Sequence, residues 1–381
     1  MEIKRKLVAF IKKETVLTVA ILLAVLSAVM VPPDGEYAGY IDFRTLSILF
    51  CLMTVMAGLQ KLGVFRNIAK ILLRHTQNTI QLVEVLVLLC FFFSMIITND
   101  VSLITFVPFT FIVLRLSGED SVKKLAVPVI VLQTIAANLG SMLTPIGNPQ
   151  NLYLYGKAQM DAGSFVLLML PYSLLSLLLL VICGVVVAKR SGIAVRGADV
   201  SLPEEDKAEQ KKYLLPGYVL LFVFCLLTVA HIIPYPVTLG IVILLVLILD
   251  RGTMGKVDYS LLLTFVGFFI FIGNMGRMPV FCDFLQKIIG GREVMTAVIA
   301  SQVISNVPAA LLLSGFTENI TALIIGTNLG GLGTLIASMA SLISYKQVVR
   351  QIPEEKKRYF VWFTIANIAF LVILAGVNCL L

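Results

Sequence analysis

Apolar segments of about 20 residues recur along most of this chain. A helix that crosses a bilayer needs roughly 20 mostly apolar residues, so this pattern predicts a chain that spans a membrane many times. The composition agrees, because 59% of the residues are hydrophobic and 14% are charged. Ordinary soluble domains contain roughly 45–50% apolar and about 25% charged residues. These values exclude a water-soluble globular enzyme and a disordered chain.

Most of the apolar segments have the length of a single crossing. The predicted crossings are 15–31, 43–62, 124–150, 163–188, 213–232, 236–250, 258–276, 319–343 and 359–381. Two further stretches, 79–116 and 293–318, are interrupted near their centres by Thr98-Asn99-Asp100 and Ser305-Asn306. We expect both to be re-entrant hairpins that turn at mid-depth, where protein or water must satisfy the non-helical backbone. The fold class predicted is therefore an all-α polytopic membrane protein, with about nine spanning helices and two re-entrant hairpins.

Lysine and arginine are distributed unequally between the loops of this layout. All but five of the 30 fall on the side of the N-terminus, and those five are Arg44, Lys157, Arg277, Lys287 and Arg292. The positive-inside rule then predicts a bacterial-type cytoplasmic (inner) membrane protein whose N-terminus is cytoplasmic and whose C-terminus is outside. This bias also accounts for the net charge of +8 without any nucleic acid partner.

The two halves of the sequence resemble each other. Residues 137–155 align with 327–345, with Asn138 matching Asn328 and Thr144 matching Thr334. The hairpin centres and the segments before them align as well, Asn99 with Asn306 and Asp42 with Asp258.

In the nine-crossing layout these two halves enter the membrane from opposite sides. We therefore predict two inverted repeats, 1–188 and 213–381, joined by a charged cytoplasmic linker at 189–212. Inverted repeats with broken helices are typical of secondary transporters, whose binding site lies at the midplane between the repeats.

Polar residues cluster beside Gly and Pro at four places that should lie deep in the membrane. Glycine lets the backbone leave helical angles and proline removes a donor, so we expect broken helices there. Freed carbonyls could hold a small cation, and half-helix N-termini could hold an anion. Polar residues can also simply join membrane helices, but their presence in both repeats favours a binding site. The candidate binding residues are Thr98, Asn99, Asp100, Asn138, Ser141, Thr144, Gly147, Asn148, Asn151, Ser305, Asn306, Thr327, Asn328, Thr334 and Ser338.

Asp100 is the only ionisable residue predicted near mid-depth. A carboxylate there is costly and is a candidate for coupling to Na⁺ or H⁺; its counterpart in the second repeat is Val307. We assign the candidate Na⁺ ligands to Asn99, Asp100, Asn148 and Asn306. Asp42 and Asp258 each precede an apolar helix, where N-capping is the expected role.

The sequence offers no sign of an enzyme. It contains no H-E-x-x-H, G-x-S-x-G or P-loop motif, its six cysteines are scattered, and it has two histidines. We therefore expect no catalytic residue and no cofactor other than a coupling Na⁺ or H⁺, and any pumping would draw on an ion gradient.

These motifs resemble the ion-transporter superfamily, which includes arsenite permeases, citrate permeases, sodium/proton antiporters of the NhaD type and divalent anion:sodium symporters. The resemblance rests on Thr98-Asn99-Asp100, 143–151, 305–308 and 328–331, and it covers essentially the whole chain. It is strongest to a short, uncharacterised bacterial permease branch. It implies a scaffold domain and a transport domain, an elevator-like movement and a homodimer.

In the symporters of this superfamily, a Ser-Asn-Thr motif at each hairpin tip contributes to sodium and carboxylate binding. The corresponding positions here hold Thr98-Asn99-Asp100 and Ser305-Asn306-Val307. A carboxylate at the first tip is more similar to the arsenite permeases and antiporters.

The leading hypothesis is a secondary active transporter of a small anion, a carboxylate or an inorganic oxyanion, coupled to a Na⁺ or H⁺ gradient. The alternatives are a Na⁺/H⁺ antiporter or an arsenite-type efflux permease. Outside secondary transport, a channel and an intramembrane enzyme are the other two classes.

Overall fold

The computed structural model describes residues 14–195 and 212–378. Most of the predicted linker, from 196 to 211, lies outside the described residues, as do 1–13 and 379–381 at the two termini. Across the described ranges the secondary structure is helical, without strands, which confirms the predicted fold class.

From α3 in the first half and from α12 in the second, the helices follow one another in the same order. The first half contains α1 (Thr15–Met30), α2 (Tyr37–Tyr40), α3 (Phe43–Lys61), α4 (Val64–Arg74), α5 (Thr79–Ile97), α6 (Asn99–Leu116), α7 (Glu119–Ser141), α8 (Pro149–Ala158) and α9 (Ala162–Ser191). The second contains α10 (Leu215–Val229), α11 (Tyr235–Leu249), α12 (Tyr259–Gly276), α13 (Pro279–Ile289), α14 (Glu293–Ile304), α15 (Asn306–Ser314), α16 (Ile320–Leu329), α17 (Met339–Gln351) and α18 (Lys356–Asn378).

Several of these helices are long and apolar enough to cross a bilayer. By length and composition, seven helical segments qualify among the described residues, and α1, α10, α11, α14 and α16 are shorter apolar helices. The chain is therefore a multi-pass membrane protein.

Two helix starts confirm the predicted caps. Asp42 accepts a hydrogen bond from the Thr45 N–H at 2.9 Å, and Asp258 accepts one from the Leu261 N–H at 3.0 Å. Each carboxylate satisfies an N–H group that the first turn leaves without an intrahelical partner.

The first predicted hairpin is formed by α5 and α6. Both arms have the length of a crossing, but they pack against each other and against α7. The Ser102 hydroxyl on α6 donates to the Cys90 carbonyl on α5 at 3.3 Å. This bond joins residues on either side of the turn, so the chain folds back at Thr98. In the second half, α14 and α15 also pack against each other, with the turn at Ser305.

The two predicted broken helices are interrupted as expected but extend further than predicted. The first consists of α7 and α8, separated by 142–148, and α8 continues to Ala158 rather than ending near 150. The second consists of α16 and α17, and α17 continues to Gln351 rather than 343. Helices α8 and α17 both become more polar towards their C-terminal ends. A prediction from hydropathy therefore places these ends too early in the sequence.

The turns of the two hairpins have the same unusual backbone. Thr98 has φ 71° and ψ 154°, and Ser305 has φ 74° and ψ 155°. Positive φ is uncommon for residues other than glycine, and such backbone concentrates at functional sites. The agreement of both angles supports the equivalence of the two halves.

The helices form two packed groups. One, which we call the frame, contains α1, α3, α10, α11 and α12; α1 packs on α12, and α11 packs on α3. The other, which we call the hairpin group, contains α5 to α9 and α14 to α18. Thus α1 of the first half packs on α12 of the second, and α11 of the second half packs on α3 of the first. Helices α4 and α13 each follow a frame helix and precede a hairpin.

Two ion pairs tie the halves of the frame together. Lys61 Nζ lies 2.7 Å from Asp250 Oδ1, and Arg277 Nη1 lies 2.6 Å from Asp34 Oδ2. In the register that aligns Asp42 with Asp258, these pairs are equivalent, because Asp34 corresponds to Asp250 and Lys61 to Arg277.

Candidate functional site

A cavity of about 170 Å³ lies where both hairpin turns and both helix breaks meet. This volume is below the roughly 300–1,000 Å³ of sites for drug-sized ligands and suits a small solute. From the hairpins and breaks, the lining residues are Asn99, Asp100, Asn148, Pro149, Gln150, Ser305, Asn306, Val307, Pro308, Ser338 and Met339.

Four helix N-termini converge on this cavity. Helices α6, α8, α15 and α17 all begin with residues that line it. An N-terminus presents N–H groups without intrahelical partners and carries roughly half a positive charge. The backbone alone therefore makes this cavity attractive to an anion.

Charged side chains also line the cavity. Three are acidic, Glu14, Asp100 and Asp258, and one is basic, Lys346. Asp258 and Lys346 are exposed, so the cavity reaches the surface at this end. The side chains thus carry a net negative charge, opposite in sign to the four helix N-termini.

Several polar atoms in the lining are buried without hydrogen-bond partners among the described residues. They include Asp100 Oδ1, Asn148 Oδ1 and both amide atoms of Gln150. Leaving such atoms unsatisfied is costly, and natural proteins do so mainly where a ligand, ion or water is bound. All three residues belong to the first half, so the polar atoms that a bound ion, ligand or water would satisfy lie on that side of the cavity.

Each hairpin turn is attached to the helix break of its own half. The Asn99 N–H donates to the Gly147 carbonyl at 3.3 Å, and the Asn306 N–H donates to the Ala337 carbonyl at 2.9 Å. Gly147 and Ala337 correspond to each other in the register that aligns Asn138 with Asn328. The same backbone contact therefore positions both turns.

Amide side chains then join one half to the other. Asn138 Oδ1 accepts from Asn99 Nδ2 at 3.1 Å and from Ser338 Oγ at 2.9 Å. Asn328 Nδ2 donates to Asn151 Oδ1 at 2.7 Å. Asn138 and Asn328 are equivalent residues, so each half places one asparagine against the start of the helix that follows the break of the other half.

The remaining predicted residues support the breaks or lie apart. Asn148 Nδ2 donates to Ser141 Oγ at 2.7 Å, while the Thr144 hydroxyl donates to the Met95 carbonyl. The Thr334 hydroxyl donates to the Gln302 carbonyl at 3.2 Å.

Thr98 provides the backbone turn but is not part of the cavity lining. Thr327 is not brought to the cavity: its hydroxyl donates to the Leu323 carbonyl of its own helix at 2.7 Å. All four candidate Na⁺ ligands, Asn99, Asp100, Asn148 and Asn306, do line it.

Some site residues were not among the predicted ones. Glu14, Lys346 and Gln150 line the cavity, and Gln302 holds the second break. Asp258 does cap its helix as predicted, but it also lines the cavity.

The second role of Asp258 could have been inferred from the residue three positions later, Leu261. Asp42, its counterpart, accepts from both the N–H and the hydroxyl of Thr45, whereas Leu261 has no hydroxyl to offer. The second carboxylate oxygen of Asp258 therefore has no such hydroxyl to bond, and it is available to the cavity. For Gln302, the signal was an amide near the turn of a mostly apolar hairpin arm.

Comparison with known proteins identifies the chain's relatives. It is 32% identical over 308 residues to an uncharacterised transporter of Methanocaldococcus jannaschii, covering 80% of this chain and 81% of that protein. It is 31% identical over 319 residues to inner membrane protein YbiR of Escherichia coli, covering 80% of each. Silicon efflux transporter LSI3 of Oryza sativa is 34% identical over 154 residues, or 40% of this chain and 30% of that protein.

The chain also matches a family profile. The sequence profile described as "Citrate transporter" matches residues 7–322. This range includes both hairpins and the first helix break. The relatives are transporters rather than enzymes, in agreement with the predicted absence of catalytic function. The chain belongs to the citrate transporter family of membrane transporters.

Proposed function

We propose that this protein is a secondary active transporter that moves a small anion, a carboxylate or an inorganic oxyanion, across the cytoplasmic membrane together with Na⁺ or H⁺. The observation that carries this proposal is the convergence of the α6, α8, α15 and α17 N-termini on one cavity. Four partial positive charges directed at one cavity favour an anion, in addition to the single lysine of the lining, Lys346.

Asp100 is the residue we assign to the coupling cation. Its Oδ1 is buried without a partner among the described residues, and it lies in the same cavity as the helix N-termini. An unneutralised carboxylate there would repel the anion, whereas binding of Na⁺ or H⁺ removes that repulsion. Occupation by the cation and occupation by the anion therefore favour each other, which is the basis of coupling.

The direction in which the cavity opens follows from the predicted topology. Glu14, Asp258 and Lys346 all fall at the cytoplasmic end of that topology, and Asp258 and Lys346 are exposed. This arrangement supports an inward-facing state. The cytoplasmic N-terminus and the external C-terminus lie outside the described residues and remain predictions, as does the homodimer.

The contacts between the frame and the hairpin group are compatible with an elevator mechanism. They include a hydrogen bond between Gln60 and Thr105 at 3.1 Å and aromatic contacts of Tyr153 with Phe265 and Phe269. An interface of aromatic faces with few polar bonds can slide at low cost. We propose that the hairpin group carries the cavity past the frame.

A second candidate is favoured by the acidic lining. Three carboxylates and one lysine around the cavity would also suit a Na⁺/H⁺ antiporter, or an arsenite-type permease that exports a neutral metalloid hydroxide. The relative named as a silicon efflux transporter supports the second of these, over 40% of the chain.

A transport assay decides between these functions. Purified protein in liposomes would be offered dicarboxylates, citrate, sulfate, phosphate and arsenite under imposed Na⁺ or pH gradients. We expect one anion to accumulate above equilibrium only when a gradient is present. Exchange of Na⁺ for H⁺ without any added anion would favour the antiporter, and movement of the metalloid alone would favour the efflux permease.

Asp100→Asn provides the corresponding test of coupling. The amide keeps the shape but cannot bind a proton or balance Na⁺, so gradient-driven accumulation should fall to the equilibrium ratio while the protein remains folded. Asp120→Asn, at an exposed carboxylate on the first turn of α7, is the matched control and should transport normally. Full coupled accumulation by the Asp100→Asn protein would contradict the assigned role.

A further inference from the structure

One side chain from the second hairpin holds the second helix break. Gln302 Nε2 lies within hydrogen-bond distance of three carbonyl oxygens, those of Val298 at 3.1 Å, Gly330 at 3.0 Å and Leu332 at 2.9 Å, which share its two N–H groups. Its Oε1 accepts from the Thr334 N–H at 2.9 Å. Gly330, Leu332 and Thr334 all follow the last turn of α16, so this amide satisfies backbone groups that the break releases.

The amide nitrogen occupies the kind of position in which a cation is bound. Carbonyls released by broken helices coordinate Na⁺ or protons in secondary transporters, and here three carbonyl oxygens surround one partly positive nitrogen. The backbone of the break also leaves space for the Gln302 side chain, at Gly333. Gly333 has φ +105°, and a Cβ there would lie 2.3 Å from Gln302 Oε1. Only glycine leaves room for the amide at this point.

The first half is built in the opposite way. In the register that aligns Asn99 with Asn306, Met95 stands at the position of Gln302, and a thioether has no N–H to donate. In the same register Asp100 stands at the position of Val307. The first half therefore has a carboxylate and no internal amide donor at these positions, whereas the second has the donor and no carboxylate.

From these two differences we propose that the transporter binds a single coupling cation per chain, in the first half, and that the Gln302 amide takes the place of a second cation in the other half. Gln302 is a positioning residue that acts through the backbone of the break. The coupling role of the cation rests on the proposed function, but the number of cation sites can be measured without transport.

The first test counts cation sites on purified protein in detergent. Thermal unfolding is followed while NaCl replaces choline chloride at constant ionic strength, and bound ²²Na⁺ is measured at equilibrium. We expect a single-site curve for the wild type, no Na⁺ response for Asp100→Asn, and a retained response with one bound ion for Asp120→Asn, whose carboxylate is exposed outside the cavity. Two bound ions per chain, or a Na⁺ response that survives in Asp100→Asn, would overturn the proposal.

The second test replaces the amide with its isosteric carboxylate. In Gln302→Glu, the carboxylate faces three carbonyl oxygens and needs a bound cation to be stable there. In an Asp100→Asn background, Gln302→Glu should therefore restore Na⁺-dependent stabilisation, with a midpoint shift that saturates. If Gln302 were only structural, the double variant would be less stable by the same amount at every Na⁺ concentration, and the proposal would fail.

Met95→Gln is the reciprocal variant. It places an amide donor at the equivalent position of the first half, where it should compete with the cation and weaken Na⁺ binding at least tenfold. Unchanged Na⁺ affinity in a folded Met95→Gln protein would contradict the proposed substitution of amide for cation.

Transport measured on the same preparations separates this inference from the proposed function. Wild-type liposomes that accumulate none of the offered anions, with one Na⁺ site intact, would refute anion transport and leave the single site standing. Coupled transport that carries two cations with each anion would support the proposed anion transport and refute the single cation site.

Discussion

Asp250 shows how a single carboxylate joins the two halves of the frame. It accepts hydrogen bonds from Lys61 Nζ at 2.7 Å, Thr253 Oγ1 at 2.8 Å and Tyr218 Oη at 3.2 Å. Burial acts to raise the pKa of Asp250, but the hydrogen bonds from Lys61 and Thr253 outweigh it and hold that pKa below its ordinary value. The ionised form is therefore the one that the fold stabilises.

This depressed pKa predicts a loss of stability in acid. The contribution is fully present above the pKa of about 4 that Asp has in the unfolded chain, and it is lost as the pH falls through the lower folded value. Asp250→Asn should lower the free energy of unfolding by about 1–2 kcal/mol at pH 7 and flatten its acid dependence. Urea unfolding in detergent at several pH values measures both effects.

Asp283→Asn is the control for this acid dependence, because its carboxylate is exposed on α13. It should match the wild type at every pH. If Asp250→Asn kept the wild-type acid dependence, other carboxylates would have to account for the loss of stability.

Individual site residues differed in how well the sequence predicted them. Asn99, Asp100 and Asn148 could be predicted because polar residues beside helix breaks are expensive in a membrane, and all three line the cavity. Thr327 has the same character in sequence, yet its hydroxyl bonds within its own helix. Periodicity cannot separate these cases, since a hydroxyl can always satisfy itself on the preceding turn. Gln302 was missed because its role depends on carbonyls about 30 residues further along the chain.

At the scale of elements, the first hairpin is fitted closely to the helix that follows it. A Cβ at Gly140 on α7 would lie 2.0 Å from the Phe91 carbonyl oxygen of α5 and 2.7 Å from Ser94 Oγ. Backbone cannot be displaced as cheaply as the end of a flexible side chain, so the contact between α5 and α7 requires a glycine.

Gly140→Ala tests this close approach. We expect it to destabilise the protein by about 1–3 kcal/mol through overpacking and to impair transport, because the hairpin turn would move relative to the first break. Gly240→Ala on α11 is the matched control, since a Cβ added there would have nothing within 4 Å; it should be neutral or stabilising by up to about 1 kcal/mol. Equal stability of the two variants, measured by thermal unfolding, would contradict this packing argument.

The elements themselves were largely predictable, and their ends were not. Apolar runs of crossing length predicted α3, α9 and α12, and the polar interruptions coincide with the turns at Thr98 and Ser305 and with the two helix breaks. The ends of α8 and α17 were predicted too early because their last turns carry polar residues that tertiary contacts keep helical. Hydropathy predicts which residues lie in the membrane, but it does not predict these tertiary contacts.

At the scale of the whole molecule, the similarity of the halves is clearest in pairs of equivalent contacts. Thr98 and Ser305 share their backbone angles. The Lys61–Asp250 and Arg277–Asp34 pairs recur on opposite halves of the frame. Internal sequence similarity aligns these positions, but only the packed structure shows that they form equivalent contacts. The halves differ at Asp100 and Val307, and there we expect them to differ in function, with the coupling cation bound in the first half.

The two frame ion pairs also bear on how the molecule could move. Arg277 lies two residues before α13, and Lys61 lies three residues before α4. Each pair therefore fixes the end of a frame helix from which the chain runs towards a hairpin. A frame held at both of these points would let the hairpin group move as a unit while the frame stays in place.

The proposed elevator movement predicts that joining the hairpin group to the frame should stop transport. Gln60 on α3 and Thr105 on α6 are in side-chain contact at 3.1 Å. In a variant without native cysteines, Gln60→Cys with Thr105→Cys should lose at least 90% of gradient-driven uptake on treatment with a short bifunctional thiol reagent. Asp34→Cys with Arg277→Cys links two parts of the frame across a 2.6 Å contact and should keep its uptake after the same treatment. Full transport by the cross-linked Gln60–Thr105 pair would mean that the two groups do not move relative to each other.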